Sequence, residues 1–265
     1  MGARVREVDP AVEGKRVLVT GSAGAIGRRV CDALLARGHH VRGFDRVAND
    51  RLEDDQIGDL RDRDAIDRAV DGIDCVIHLG AYRNDADFMD VLLEPNVIGM
   101  YHVCNAVREA RVNRLVLASS VQVLTGLDES QRPHRPEGGA APTNDYAMTK
   151  VWAEVAGEML ARCHGVSVIA VRIGWVPVRP PDMEKLQGSA TGLSIFFSHN
   201  DAKRFFTLCV ESPRPESGEF VILNGASRPA SKPYMDLTAA REVIGYEPQD
   251  NVADGLDWDY PPVRD

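Results

Sequence analysis

The sequence predicts a doubly wound α/β fold, in which a parallel sheet carries helices on both faces and a small C-terminal lobe is appended. Three observations lead there. Short apolar runs alternate with helical patterns over the first two thirds of the chain. A glycine-rich turn follows the first of those runs. The 265 residues, 44% of them apolar, suffice for one large α/β domain with an appendage.

The elements follow in order. Residues 16–20 (RVLVT) form a short apolar run that reads as a buried strand. A helical pattern covers about 25–37 and is closed by Gly38. Residues 39–45 (HHVRGFD) give a second strand ending at Asp45, and the acidic run Glu53-Asp54-Asp55 reads as a solvated turn. Residues 61–70 place Ala65, Ile66, Ala69 and Val70 on one side of a helix. Residues 75–79 (CVIHL) are a buried strand, and a helix follows Pro95 from about 96 to 110. The strand opening at 115 ends in Ser119-Ser120. Residues 128–143, rich in Pro, Gly and charge, are a loop. A long helix spans about 145–163, and residues 166–171 (VSVIAV) are the most apolar strand. Beyond it the alternation breaks into an irregular region, then a helix near 200–210 and a strand near 220–223. The domain expectation is a dinucleotide-binding domain over 1–174 and a small substrate lobe over 175–265, interleaved with it.

Charge and composition narrow the function. The net charge of -9 argues against a nucleic-acid partner. Five widely spaced cysteines with no CxxC read as buried thiols in a reducing compartment. The charged stretch 1–13 is no signal peptide, and no apolar run approaches the roughly 18 residues of a membrane span. A soluble, cytoplasmic protein is expected. No HxH, HExxH or Cys/His grouping suggests a metal site, and His199 reads as a helix-start residue. There is no GxSxG elbow and no P-loop lysine.

The turn Thr20-Gly21-Ser22-Ala23-Gly24-Ala25-Ile26-Gly27 lies between the first strand and the first helix. Glycines there let backbone approach a pyrophosphate, and a helix N-terminus supplies N–H donors. Gly21, Gly24, Ala25, Ile26 and Gly27 are therefore candidate cofactor residues. Asp45, 18 residues past Gly27, can accept ribose hydroxyls and would repel a 2′-phosphate. NAD is favoured over NADP, although the neighbouring Arg46 is placed to meet a phosphate.

Tyr146 and Lys150 stand four apart on the long helix, so they share a face. A tyrosine hydroxyl is a poor base at neutral pH, and a nearby ammonium is expected to lower its pKa. The phenolate would take the proton of a substrate alcohol while hydride leaves for the nicotinamide. Ser120 at the strand end is placed to hydrogen-bond the reacting oxygen. The catalytic candidates are Ser120, Tyr146 and Lys150.

These motifs, with Asp59-Leu60 after a third strand, HLGA (78–81), NVIG (96–99), ASS (118–120), YAMTK (146–150) and RIG (172–174), run through nearly the whole chain. Together they resemble the extended short-chain dehydrogenase/reductase family, a Rossmann-type group. The resemblance implies that Asp59 and Leu60 meet the adenine side of NAD, that Leu79, Gly80, Ala81 and Ile173 line the cofactor, and that Asn96 supports the site. An ordinary helix cap is the other reading of Asn96.

Within the family the chain looks most like uronate dehydrogenases, which oxidise the C1 hydroxyl of a uronate to a lactone. The substrate side departs from them. Arg83 and Val121-Gln122 replace a serine and an Asn-His, Trp175 replaces a serine, and Thr191 stands where an arginine holds the carboxylate. Arg83 either takes over that carboxylate or is a solvated loop arginine, and Trp175 either stacks on a sugar or packs the lobe. The expected activity is oxidation of a small sugar or sugar acid at a carbinol carbon. The resemblance also suggests a homodimer or higher homo-oligomer. The rivals are an NAD-dependent sugar epimerase and a non-catalytic NAD-binding redox sensor; a dehydratase fits less well, because Val121-Gln122 lacks an acid–base pair.

Overall fold

The structure is a computed structural model and describes residues 14–230 and 232–258. The stretch 1–13, expected to be no targeting signal, lies outside the described residues. Seven strands, β1 (Arg16–Thr20), β2 (His40–Asp45), β3 (Asp54–Ile57), β4 (Cys75–His78), β5 (Arg114–Ser120), β6 (Ser167–Ile173) and β7 (Phe220–Gly225), pair in parallel throughout. They lie in the order β3-β2-β1-β4-β5-β6-β7. The order reverses between β1 and β4, which opens a crevice at their carboxyl ends.

Helices cover both faces, so the central strands are buried on both sides and lack polar alternation. On β1, Val17 and Val19 face one core and Leu18 the other. The first core lies under α1 (Ala25–Ala36), α7 (His199–Glu211) and α8 (Thr238–Ile244). The second lies under α2 (Arg63–Val70), α3 (Gly99–Glu109) and α4 (Asp145–His164). The segment after 174 adds β7 to the main sheet and also carries two short helices, α5 (Pro180–Gln187) and α6 (Ala190–Ile195).

Three elements differ from expectation. Asp54 and Asp55 belong to β3 rather than a turn, paired with Arg42 and Gly43. As a short edge strand β3 is largely polar, with Asp54 accepting from Arg42 of β2 at 2.8 Å, which hides it from an apolar-run reading. The helix expected from 96 begins at Phe88, as a π-helical stretch through Ile98 that runs on into α3. Its widened turns accommodate Pro95, and the Asp87 carboxylate accepts the Asp90 N–H at 2.8 Å to start it. The region after β6 is ordered into α5 and α6 around a small core of Met183, Leu186 and Phe196.

Cys31, Cys75, Cys104 and Cys209 are buried free thiols, whereas Cys163 is exposed. His199 opens α7, fully buried, its Nε2–H donating to the Pro177 carbonyl and its Nδ1 accepting from Asp257 N–H. Among the described residues, no helix is long and apolar enough to cross a membrane, and no group of His, Cys, Asp or Glu could hold a metal ion.

Candidate active site

Because every strand runs the same way, the loops after their carboxyl ends gather at one edge of the sheet. Thr20, Asp45, His78, Ser120 and Ile173 are the last residues of β1, β2, β4, β5 and β6.

The glycine turn is built from backbone. Gly21 takes a φ of +72°, and a Cβ there would meet Gly80 N at 2.8 Å. A Cβ on Gly27 would lie 2.0 Å from the Gly21 carbonyl oxygen. Glycine is thus required twice, for a left-handed turn and for a close helix–turn contact. Gly24 begins α1 without any side-chain cap, and the first turn, with Ala25 and Ile26, holds no acidic residue. Uncapped N–H groups at a helix start beside a glycine turn fit the pyrophosphate of a dinucleotide.

Asp45 flanks that turn. Its carboxylate accepts from Ala23 N–H at 3.1 Å and from Val47 N–H at 3.2 Å, fixing an acid beside the turn. Arg46 is exposed next to it. Asp59 accepts from the Arg61 backbone and guanidinium, which holds its carboxyl below the usual carboxylate range. Leu60 reaches the wall of Gly80, 3.0 Å from where a Cβ would stand. Leu79 and Gly80 leave β4 beside Thr20: Leu79 N–H donates to the Thr20 carbonyl at 3.1 Å and Gly80 N–H to the Thr20 hydroxyl at 3.2 Å.

Asn96 is no cap. It is buried within the helix, with Oδ1 accepting from Tyr82 N–H at 2.7 Å and Nδ2 donating to the Tyr82 carbonyl at 3.0 Å and to Thr149 at 3.3 Å. It therefore ties the loop after Ala81 to α4.

Asn144 caps α4 by accepting the Ala147 N–H at 2.8 Å, so the helix starts immediately before Tyr146. The Ser120 hydroxyl stands near the Tyr146 phenol and lowers its pKa, and Lys150 Nζ lies 5.6 Å from the centre of the Tyr146 ring and donates to the Ala118 carbonyl at 3.1 Å. Structure thus brings Ser120, Tyr146 and Lys150 together at the end of β5. Ser119 is separated from them, its hydroxyl donating to Glu154 at 2.6 Å.

The electrostatics differ from the sequence expectation. Burial pushes the Tyr146 phenol up to about 12, partly offset by the Ser120 hydroxyl. The same burial brings Lys150 down to about 8. Both groups lose water, and each disfavours its charged form.

The substrate-side candidates spread around this centre. Gln122 stands two residues beyond Ser120, its Oε1 accepting from Asn144 at 2.9 Å. Arg83 sits half-buried in the loop from Ala81, where Asp85 accepts the Tyr146 N–H at 3.3 Å. Trp175 pairs through its backbone with Ile195 and Phe197 and packs against two apolar cores. Thr191 lies on α6, its carbonyl accepting from Ser194. Sequence reasoning missed His78, Glu154 and Arg172; the tyrosine-to-lysine spacing of four, extended by four more, was the available signal for Glu154.

The sheet order, the glycine turn and the Ser–Tyr–Lys cluster define a dinucleotide-dependent oxidoreductase of the Rossmann type. The sequence pattern of the NAD dependent epimerase/dehydratase family matches residues 17–176, and the chain belongs to that family. An L-arabinose 1-dehydrogenase (NAD(P)(+)) from Haloferax volcanii is 32% identical over 90% of this chain and 98% of its own length. An NAD-dependent glucose-6-phosphate dehydrogenase from the same organism is 30% identical over 90% of this chain and 94% of its own. A tyrosine variant of uronate dehydrogenase from Agrobacterium tumefaciens, solved in complex with NAD, superposes with a TM-score of 0.76 at 27% identity, covering 91% of this chain and 86% of that one. The chain is accordingly an NAD-dependent enzyme of the extended short-chain dehydrogenase/reductase type.

Proposed function

We propose that this enzyme oxidises a small sugar or sugar acid at a carbinol carbon, C1 in the reading that the arabinose 1-dehydrogenase relative supports. The observation that carries it is the meeting of Ser120, Tyr146 and Lys150 beside the glycine turn. Gly21, Gly24, Ala25, Ile26 and Gly27 would hold the pyrophosphate, Asp45 and Arg46 the adenosine ribose, Asp59 and Leu60 the adenine, and Leu79, Gly80, Ala81, Asn96 and Ile173 the remainder. NAD, when bound, supplies the hydride acceptor and a further positive charge. Ser120 donates to the substrate oxygen and orients it. Tyr146 Oη, having first yielded its own proton to solvent, takes the hydroxyl proton as the phenolate while the carbon gives up its hydride and the C–O bond becomes a carbonyl. From a cyclic hemiacetal the product is a lactone. Lys150 holds positive charge near the phenol and anchors the nicotinamide ribose.

Gln122, Arg83, Trp175 and Thr191 form the substrate side, with the segment after 174 as a small substrate lobe. The test is NADH absorbance with purified protein, NAD and a panel of aldoses, aldose phosphates, uronates and polyols. NADH formation that Tyr146→Phe abolishes is expected. Silence across the panel, with NAD retained through purification, would replace this reading by a sugar epimerase.

The same proposal includes a cytoplasmic homodimer or higher homo-oligomer. Met148, Val155 and Met159 line up on α4 as exposed apolar residues, Val155 at 59% exposure, with Tyr101 exposed on α3. Light scattering on the purified protein, with Val155→Glu as comparison, checks the assembly; a monomeric wild type would refute it.

A further inference from the structure

Behind the proton path lies a buried charge cluster that touches neither the glycine turn nor the substrate side. Glu154 stands one turn beyond Lys150 on α4, and Arg172 on β6 faces it; they are 5% and 1% exposed. Arg172 Nε donates to Glu154 Oε1 at 2.9 Å and Nη2 donates to Oε2 at 2.9 Å. Arg172 Nη1 donates to the Gly139 carbonyl at 2.9 Å. Ser119 Oγ adds its donation to Glu154 Oε1.

Burying two charges costs each its hydration, and apolar fillings of such sites are often as stable or more so. The pair therefore calls for an explanation in what it fixes. Tyr146, Lys150 and Glu154 share one face of α4 at steps of four. Each meets a successive part of the end of β5: Tyr146 the Ser120 hydroxyl, Lys150 the Ala118 carbonyl, Glu154 the Ser119 hydroxyl. Strand alternation sends Ser119 and Ser120 to opposite sides, so one serine is spent on Glu154 and the other stays with Tyr146. Arg172 joins β6 and the loop at Gly139 to the same carboxylate.

We propose that Glu154 and Arg172 are positioning residues for the oxidation, locking α4 to the end of β5 through Ser119 so that Tyr146 and Ser120 converge on one substrate oxygen. The proposal rests on the reaction reading given above. A misplacement of about 1 Å is enough to cost up to roughly a hundredfold in rate.

The test compares Ser119→Ala, Glu154→Gln, Arg172→Lys and Tyr146→Phe in steady-state turnover with NAD and the best sugar, and in NADH binding by fluorescence. Ser119→Ala and Glu154→Gln are expected to lower kcat about tenfold or more, with sugar KM and NADH affinity held within about twofold. Arg172→Lys keeps the charge without the fork and is expected to fall between them and wild type. Glu154→Gln leaves a buried guanidinium without its counter-charge; if it fails to fold, Ser119→Ala, which leaves the ion pair intact, decides. A folded Ser119→Ala with wild-type kcat beside an inactive Tyr146→Phe would overturn this inference alone, as would a parallel loss of kcat and NADH affinity. Undiminished turnover in Tyr146→Phe would overturn the reaction reading and this inference with it.

Discussion

His78 Nδ1 lies 2.7 Å from the Thr20 hydroxyl, across the strand pair where the sheet order reverses. The Thr20 oxygen already accepts from Gly80 N–H, so its one proton is available to His78 Nδ1. A neutral imidazole thus helps to set the turn that closes the cofactor crevice. Burial, and then the charge of Lys150, brings His78 down to about 3.

That depression makes acid stability a test. An unfolded histidine titrates near 6.5, so between that value and about 3 the unfolded chain binds the extra proton. Stability from His78 is present above the unfolded pKa and is lost as pH falls. At pH 5 the loss is about 2 kcal/mol. His78→Asn, uncharged at every pH, is expected to lose correspondingly less stability than wild type between pH 7 and pH 5. Denaturant titrations at both pH values measure it; equal losses in the two proteins would contradict the buried neutral state.

Lys150 gives the opposite pairing of stability and function. Its folded pKa is about 8, below the ordinary lysine value of 10.5. The folded state therefore bears the cost of a buried ammonium in full below about 8, and the cost is relieved as pH rises toward 10.5. Lys150→Met is expected to melt higher than wild type at pH 7, with the advantage shrinking across that window, while turnover falls by at least about a hundredfold. Calorimetry across pH and NADH assays check both parts. A Lys150→Met protein less stable than wild type at pH 7 would mean that packing, and not charge burial, dominates there.

Much of this was legible in the sequence because parallel strands are buried on both faces. Leu18, Val76, Leu115 and Val168 read as apolar runs whatever their neighbours. Tyr146 and Lys150 sit four apart on one regular helix, so spacing alone placed them on one face, and Ser120 was legible as the end of a strand. Residue pattern alone did not show β3, because an edge strand of four residues, DDQI, carries no hydrophobic pattern; only the family resemblance placed a strand before Asp59. The early start at Phe88 was hidden by Pro95, which ordinarily marks a helix boundary and is absorbed here by π-type turns. Asn96 looked like a cap for that reason. The direction of the Tyr146 shift depends on burial at the sheet edge, which no local pattern reports. Ser120 was chosen over Ser119 from the sequence, and the structure adds that Glu154 takes the Ser119 hydroxyl.

Gly27 tests the backbone contact. A Cβ at this position would sit 2.0 Å from the Gly21 carbonyl oxygen, and neither backbone can yield without moving the turn. Gly27→Ala is expected to weaken NADH binding at least about tenfold and to lower the melting temperature. Gly138→Ala is the matched control, since a Cβ there meets nothing within 4 Å, and it is expected to change neither. Fluorescence titration with NADH separates the two; full affinity in Gly27→Ala would show that the turn does not hold the pyrophosphate.

Asp45 tests cofactor choice. Its two oxygens accept from Ala23 and Val47, which makes the carboxylate a fixed negative charge at the mouth of the glycine turn. A fixed anion repels the 2′-phosphate of NADP and accepts the ribose hydroxyls of NAD. Removing it has two consequences of opposite sign. NAD loses a hydroxyl acceptor, and the turn loses the anchor at Ala23 N–H, whereas NADP loses its repulsion and meets the charge of exposed Arg46. Asp45→Ala is therefore expected to lower kcat/KM with NAD about tenfold and to raise it with NADP, narrowing the preference about a hundredfold. Paired kinetics with both cofactors at one ionic strength measure the ratio. Because the NADP gain is electrostatic, it should shrink as salt is raised. An unchanged ratio in Asp45→Ala would move cofactor discrimination away from the end of β2 altogether.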